Sequence, residues 1–229
     1  MGQSMRRTAA AEAPWLSISP NEAGFTSDLE ARLDEAITQK CVWNLHGVVI
    51  LRQGRLVLER YFEGDDNARG SPLGRVVFNA DTLHDLRSVS KSIVGLLYGI
   101  ALAAGKVPPP DAPLFASFPE YADLAADPAR NRWTVDNVLT MTMGTDWDEL
   151  SVPYSDPTNS EIAMDMAPDR YRFVLGGPVV MEPGQRWIYN GGATALLARM
   201  IVQGTGKPMH EFARETLFNP LAIGPTSRP

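Results

Sequence analysis

"DLRSVSKSIVGLLYGIALAAGK", Asp85 to Lys106, is the stretch on which the reading of the chain turns. From Ile93 onward it is apolar on almost every side, which predicts a buried helix. Gly105 and the run Pro108, Pro109, Pro110 predict its end. Gly95 and Gly99 would let a neighbour pack closely. The first turn carries Ser88 and Lys91, and a buried lysine is costly unless something pairs or uses it. Residues three apart on a helix share a face, so this hydroxyl and amine can touch. Two readings follow. In one, Ser88 caps the helix and Lys91 reaches out to solvent. In the other, the pair carries chemistry. A serine hydroxyl is a poor nucleophile until a base removes its proton. Burial disfavours the charged form of a lysine, and an uncharged amine can be that base. The helix N-terminus adds a positive field that suits a developing oxyanion.

The flanking segments give the frame. Residues 1–24 are polar and read as an arm. "TSDLEARLDEAITQK" predicts an amphipathic helix with a capping box from Ser27 and Glu30. "HGVVILRQGRLVLERYF" predicts a β-hairpin turning at Gln53-Gly54, and residues 63–72 predict a loop. Beyond residue 111 the pattern is short helices between Pro-punctuated connections. "TVDNVLTMTMG" predicts one helix, capped by Thr134 and stopped by Gly144, and "GGATALLARMIVQGTGK" another. "FVLGGPVVM" is the one further strand candidate there. The expected organisation is an arm (1–24), an α/β lobe from 25–84 with 200–229, and a helical lobe over 85–199.

Composition narrows the function classes. The chain has 229 residues, 44% apolar and 21% charged, with a net charge of −6 and a pI near 5.1. Scattered Lys and Arg on an acidic chain argue against nucleic acid. No apolar run is long enough for a membrane span. The first residues lack the apolar region of a signal peptide, so a cytoplasmic setting is expected. The single cysteine, Cys41, excludes an internal disulfide and is expected to be buried. Nucleotide-binding glycine loops, a Gly-x-Ser-x-Gly elbow and a His-Glu-x-x-His metal motif do not occur. His46, His84 and His210 are far apart in sequence, and neither a metal nor a cofactor is expected. "PYSDPTNSE" (153–161), with Tyr154, is either a substrate-covering flap or a plain connection.

The ordered series "LRSVSKSIVGLLYGIAL", "HGVVILRQGRLVLERYF", "TVDNVLTMTMGTDWDE" and "PGQRWIYNGGATALLARMIVQGTGKPMHEFARETLFNPLAI" resembles the serine β-lactamase-like superfamily. That group takes in class C β-lactamases, penicillin-binding DD-peptidases, related esterases and aminohexanoate-oligomer hydrolases. The resemblance covers about residues 25–223 and leans towards the esterase and aminohexanoate branch. It implies an α/β two-lobe fold with a partial antiparallel sheet beside a mostly helical lobe. It implies Ser88 as the acylated nucleophile, Lys91 as its base and Tyr189 as the group that passes a proton to or from the leaving group. Substrate contacts are expected from Tyr154, Asn190 and Gly191.

Two departures stand out. The family's second motif is Tyr-x-Asn, and here it reads Tyr189-Asn190-Gly191. This weighs against β-lactam turnover more than against ester or amide hydrolysis. Family members also continue well past the segment matched by "LFNPLAI". The resemblance therefore implies that the C-terminal strands, including the one bearing the third motif, are missing from this sequence. The expectation is a serine hydrolase for small esters or linear amides. The alternatives are an impaired remnant that only binds a ligand, and a β-lactamase or DD-peptidase. An unpaired sheet edge along the hairpin would favour homo-oligomers.

Overall fold

The computed structural model describes residues 15–68 and 70–223, and the chain divides after Leu86 into two compact units. In the first unit, β1 (Gly47–Arg52) and β2 (Arg55–Tyr61) form the expected antiparallel hairpin. Gln53 and Gly54 both have positive φ, 50° and 74°, as a tight two-residue hairpin turn requires. Leu56 exchanges backbone hydrogen bonds with Leu16 and Ile18, so the described end of the arm lies along β2. Helix α1 (Leu29–Thr38) starts after Asp28 without a side-chain cap, so the box expected from Ser27 and Glu30 is not formed. Arg60 of β2 holds Asp34 of α1 at 2.8 Å. Cys41 is exposed rather than buried.

The loop expected at 63–72 is instead a second hairpin, β3 (Glu63–Ala68) with β4 (Ser71–Val77). Its Gly, Asp and Asn content opposes strand formation, and tertiary contacts override that preference. Asn44 clamps the Asp65 backbone from both sides, donating to its carbonyl at 2.8 Å and accepting from its N–H at 2.7 Å. A Cβ at Gly64 would come within 2.6 Å of the His46 ring, so glycine is what lets the strand pass there.

The second unit is helical: α2 (Val89–Ala103), α3 (Ala122–Ala125), α4 (Val135–Leu139), α5 (Ser160–Met166), α6 (Arg170–Gly176), α7 (Gly191–Thr205) and α8 (Met209–Ala213). Residues 200–223, expected with the sheet lobe, pack here, because α7 runs unbroken through residue 200 and α8 follows it into the same core. That core joins Leu97, Tyr98 and Ala101 of α2 to Leu196, Leu197, Met200 and Ile201 of α7. Around them lie Trp133, Val135, Val138 and Leu175. Helix α2 is less enclosed than its sequence suggests: Val89 is 59% and Leu96 53% exposed. Gly95 and Gly99 have no atom within 4 Å of a built Cβ. The close approach lies elsewhere, at Gly204 of α7, where a Cβ would stand 1.8 Å from the Lys106 carbonyl oxygen.

Thr134 caps α4 in a capping box with Asn137. The helix ends at Leu139, before the glycine expected to stop it. Gly144, at φ 75°, turns the chain against the backbone of Met181. The strand candidate at 173–181 belongs to α6 up to Gly176, and only Val179 makes a bridge, with Thr145.

Candidate active site

Ser88 occupies the position before the first residue of α2, with helical φ and ψ, directly after Arg87 at φ 46°. A non-glycine residue in the left-handed region is a strained element of the kind found at functional sites. The strain sits where the chain turns sharply into the helix. One turn on, the Lys91 Nζ donates to Ser88 Oγ at 3.2 Å. The Tyr189 hydroxyl, from the segment entering α7, donates to the same oxygen at 2.5 Å. The Lys91 ammonium nitrogen also lies 5.0 Å from the Tyr189 ring centre, within cation–π range. Three chemically competent groups thus meet at one oxygen, two from one helix start and one from 101 residues away. The Lys91 side chain keeps 18% exposure, so it sits at the rim of the core rather than inside it.

Two residues that the sequence reading passed over complete the surroundings. Glu149 is 1% exposed. Its Oε2 accepts from the Trp147 indole N–H at 2.6 Å and the Gly191 N–H at 2.7 Å, and its Oε1 from the Tyr154 hydroxyl at 3.3 Å. A buried carboxyl without such donors would be costly. Glu161, in the first turn of α5, crowds the same point at Gly191 as Glu149 and lies 3.9 Å from the Lys91 Nζ. Burial, and then the hydrogen bond to and charge of Glu149, push the Glu161 carboxyl up to about 7, against the opposing pull of Lys91. In "TDWDEL" Glu149 reads as part of a solvated acidic run, and in "TNSE" Glu161 reads as an ordinary first-turn acid. Only Trp147, two residues before Glu149, hints that the run turns inward.

Asn159 locks these parts together. It is 0% exposed. Its Oδ1 accepts from the N–H groups of Glu161 and Ile162, capping α5, and its amide donates to the carbonyls of Glu149 and Val152.

The expected substrate contacts are redistributed. Asn190 is buried and its Oδ1 caps α7 at the Ala193 N–H, 3.0 Å away, so its side chain is spent on the helix start. Gly191 gives its N–H to Glu149, and a Cβ there would stand 2.4 Å from a Glu161 oxygen. Glycine at this position therefore makes room for the carboxyl pair. Tyr154 keeps a half-exposed ring, and burial of its hydroxyl beside Glu149 and Glu161 pushes its pKa up to about 12.

In the hairpin unit, His46 and His84 come together with Asp66, one ligand atom of each lying within 4.8 Å of the others, while His210 belongs to the helical unit. Both imidazoles stack on Phe78, and their own planes are 17° apart. His46 Nε2 also lies 3.0 Å from the Asp65 carbonyl.

No helix among the described residues is long and apolar enough to cross a membrane. No curated protein matches the chain by sequence. Several solved structures share its fold. EstCE1, described as a hydrolase with promiscuous acyltransferase activity, is 20% identical with a TM-score of 0.61 over 85% of this chain and 52% of its own. FmtA from Staphylococcus aureus is 16% identical, with a TM-score of 0.60 over 94% and 56%. A protein classed as a 6-aminohexanoate-dimer hydrolase from Bacillus anthracis is 18% identical, with a TM-score of 0.57 over 89% and 51%. The chain thus spans about half the length of these structures, and it shares their α/β fold. The family model described as Beta-lactamase matches residues 40–227. Because that match takes in most of the sequence, including both segments that deliver groups to Ser88 Oγ, the chain belongs to the β-lactamase family.

Proposed function

We propose that the chain is a serine hydrolase that forms an acyl-enzyme on Ser88 and acts on small esters or linear amides. The observation that carries this reading is the meeting of Lys91 Nζ and the Tyr189 hydroxyl at Ser88 Oγ. In its uncharged form the Lys91 amine accepts the Ser88 proton as Oγ attacks the carbonyl carbon. The Ser88 oxygen bonds to that carbon and the carbonyl π electrons move onto its oxygen, at the positive end of α2. Tyr189, in hydrogen-bond contact with Oγ, is placed to relay the proton to the leaving oxygen or nitrogen as the tetrahedral intermediate collapses. Water then repeats the sequence on the acyl-enzyme and frees Ser88.

The substrate class rests on two supports. Glycine replaces the asparagine side chain of the family's Tyr-x-Asn motif, and Asn190 beside it is committed to capping α7. The descriptions of EstCE1 and of the Bacillus anthracis protein name an acyl-transferring hydrolase and an aminohexanoate-dimer hydrolase. The test is peptide mapping by mass spectrometry after brief exposure to an activated ester. The acyl mass is expected on the peptide carrying Ser88 and absent from Ser88→Ala. Acylation of another serine, undiminished in Ser88→Ala, would overturn the reading.

A further inference from the structure

Glu149 and Glu161 have no part in the acyl transfer just described, yet Glu161 stands 3.9 Å from its lysine and Glu149 crowds the same point at Gly191 as Glu161. The Glu149 Oε2 accepts from an indole N–H and a backbone N–H, two donors that cannot reverse their role. That oxygen therefore cannot carry a proton. Two carboxyls crowded over the same point at Gly191 repel each other if both are ionised, and Glu149 is the member already served by fixed donors. The proton of the pair thus rests with Glu161, the member 3.9 Å from Lys91. Gly191 supplies the space, since any side chain there would strike Glu161.

We propose that Glu149 and Glu161 form a proton-sharing pair that presents Lys91 with an uncharged acid until the shared proton is lost, making Glu161 a positioning residue that governs when Lys91 can act as base. An uncharged acid does nothing to hold an ammonium group, whereas a carboxylate at this distance favours it. Two effects then compete as pH rises. A rising pH favours the uncharged amine, the form that can take the serine proton. As the pair ionises, near pH 7, Glu161 becomes a carboxylate that favours the proton on Lys91 and opposes that rise. The two effects oppose each other across that window, and the rise in acylation rate should break there. The groups facing Glu161 are Lys91 from α2, Glu149 and Tyr154 from the preceding loop, and Asp165 from α5 itself, with Tyr189 reaching it through Tyr154. Of these, Glu149 supplies both the hydrogen bond and the larger charge effect.

The inference rests on the serine-hydrolase reading, and the test separates the two. The 229-residue protein is labelled at Ser88 with a fluorophosphonate, and the rate is followed across pH. The expected wild-type profile rises and breaks near pH 7. Glu161→Gln should lose the break and keep rising, labelling about tenfold faster than wild type one pH unit above it. Glu149→Gln should move the break towards the ordinary glutamate value of 4.5 and slow labelling about tenfold just below neutral pH. A carboxyl role that was only structural would lower rates without moving the break. An unchanged break in Glu161→Gln overturns the proposal while leaving the hydrolase reading intact. If Ser88 is labelled at no pH, the hydrolase reading falls and the link to Lys91 falls with it. A carbon-13 titration of the Glu161 carboxyl then still decides the pair: a midpoint near 7 that drops in Glu149→Gln supports it, and an ordinary midpoint overturns it.

Discussion

Replacing Gly204 with alanine sets two rules against each other. By helix propensity alone the change should stabilise α7, because alanine is favoured over glycine by about 1 kcal/mol inside a helix. The structure says otherwise. The new Cβ would lie 1.8 Å from the Lys106 carbonyl oxygen. Carbon and oxygen sit about 3.3 Å apart even in close C–H···O contacts, so the two backbones must separate by roughly 1.5 Å. Neither partner is a flexible side-chain end that can swing away. Overpacking of this kind costs about 3 kcal/mol or more, so the net change is a loss of about 2 kcal/mol. Gly99→Ala is the matched control. It also lies in a helix, with an ordinary negative φ, but a Cβ there meets nothing within 4 Å. It should stabilise by up to about 1 kcal/mol. Thermal unfolding followed by circular dichroism reads both, at roughly 2–4 °C per kcal/mol for a chain of this size. Gly204→Ala should melt about 4–8 °C below wild type and Gly99→Ala slightly above it. Equal or parallel shifts would refute the claim that the backbones of α7 and of the segment after α2 are in direct contact.

Lys91→Arg keeps a cation near Ser88 but cannot become an uncharged base, so Ser88 acylation should fall by several orders of magnitude with the melting curve little changed. Tyr189→Phe removes one hydroxyl from the Ser88 oxygen and should lower turnover by about 10²–10⁴ with almost no effect on stability. Asn159→Ala unties α5 from the loop carrying Glu149 and leaves buried groups unpaired. It should cost about 2–4 kcal/mol in denaturant unfolding. Glu161 holds its proton more tightly folded than unfolded. Between pH 4.5 and about 7 the folded state therefore binds more protons, and stability from this group falls as pH rises. Glu161→Gln should remove that decline, at most on the order of 3 kcal/mol, seen as a flatter plot of melting temperature against pH.

What could be read from the sequence was what is local. Ser88 and Lys91 are three residues apart, so a helix alone brings them together, and the family series then adds Tyr189. The first hairpin was legible because two apolar runs flank a Gln-Gly pair whose left-handed conformation the turn needs. The second hairpin was not, because its residues favour loops and are held as strands by Asn44 from elsewhere. The carboxyl pair was hidden for a related reason. Whether Glu149 faces water or a Trp–Gly–Tyr cage is decided by the folding of three separate segments, and its own neighbours in sequence are acidic and polar. Asn190 shows the reverse case. Its place in a substrate-contacting motif drew attention, but as the first polar residue before an apolar helix it satisfies the N–H of Ala193.

The convergence at Ser88 also has a consequence in time. During synthesis Ser88 and Lys91 emerge long before Tyr189, and α2 alone lacks the partner helix, α7, with which it forms the core. A nascent chain that has reached only α5 carries the serine and the lysine but no phenol to complete the trio. If Ser88 is the nucleophile, its full reactivity should arrive with the same event that joins α2 to α7. The rate of covalent labelling at Ser88 would then gauge completed folding, with a misassembled chain expected to react more slowly.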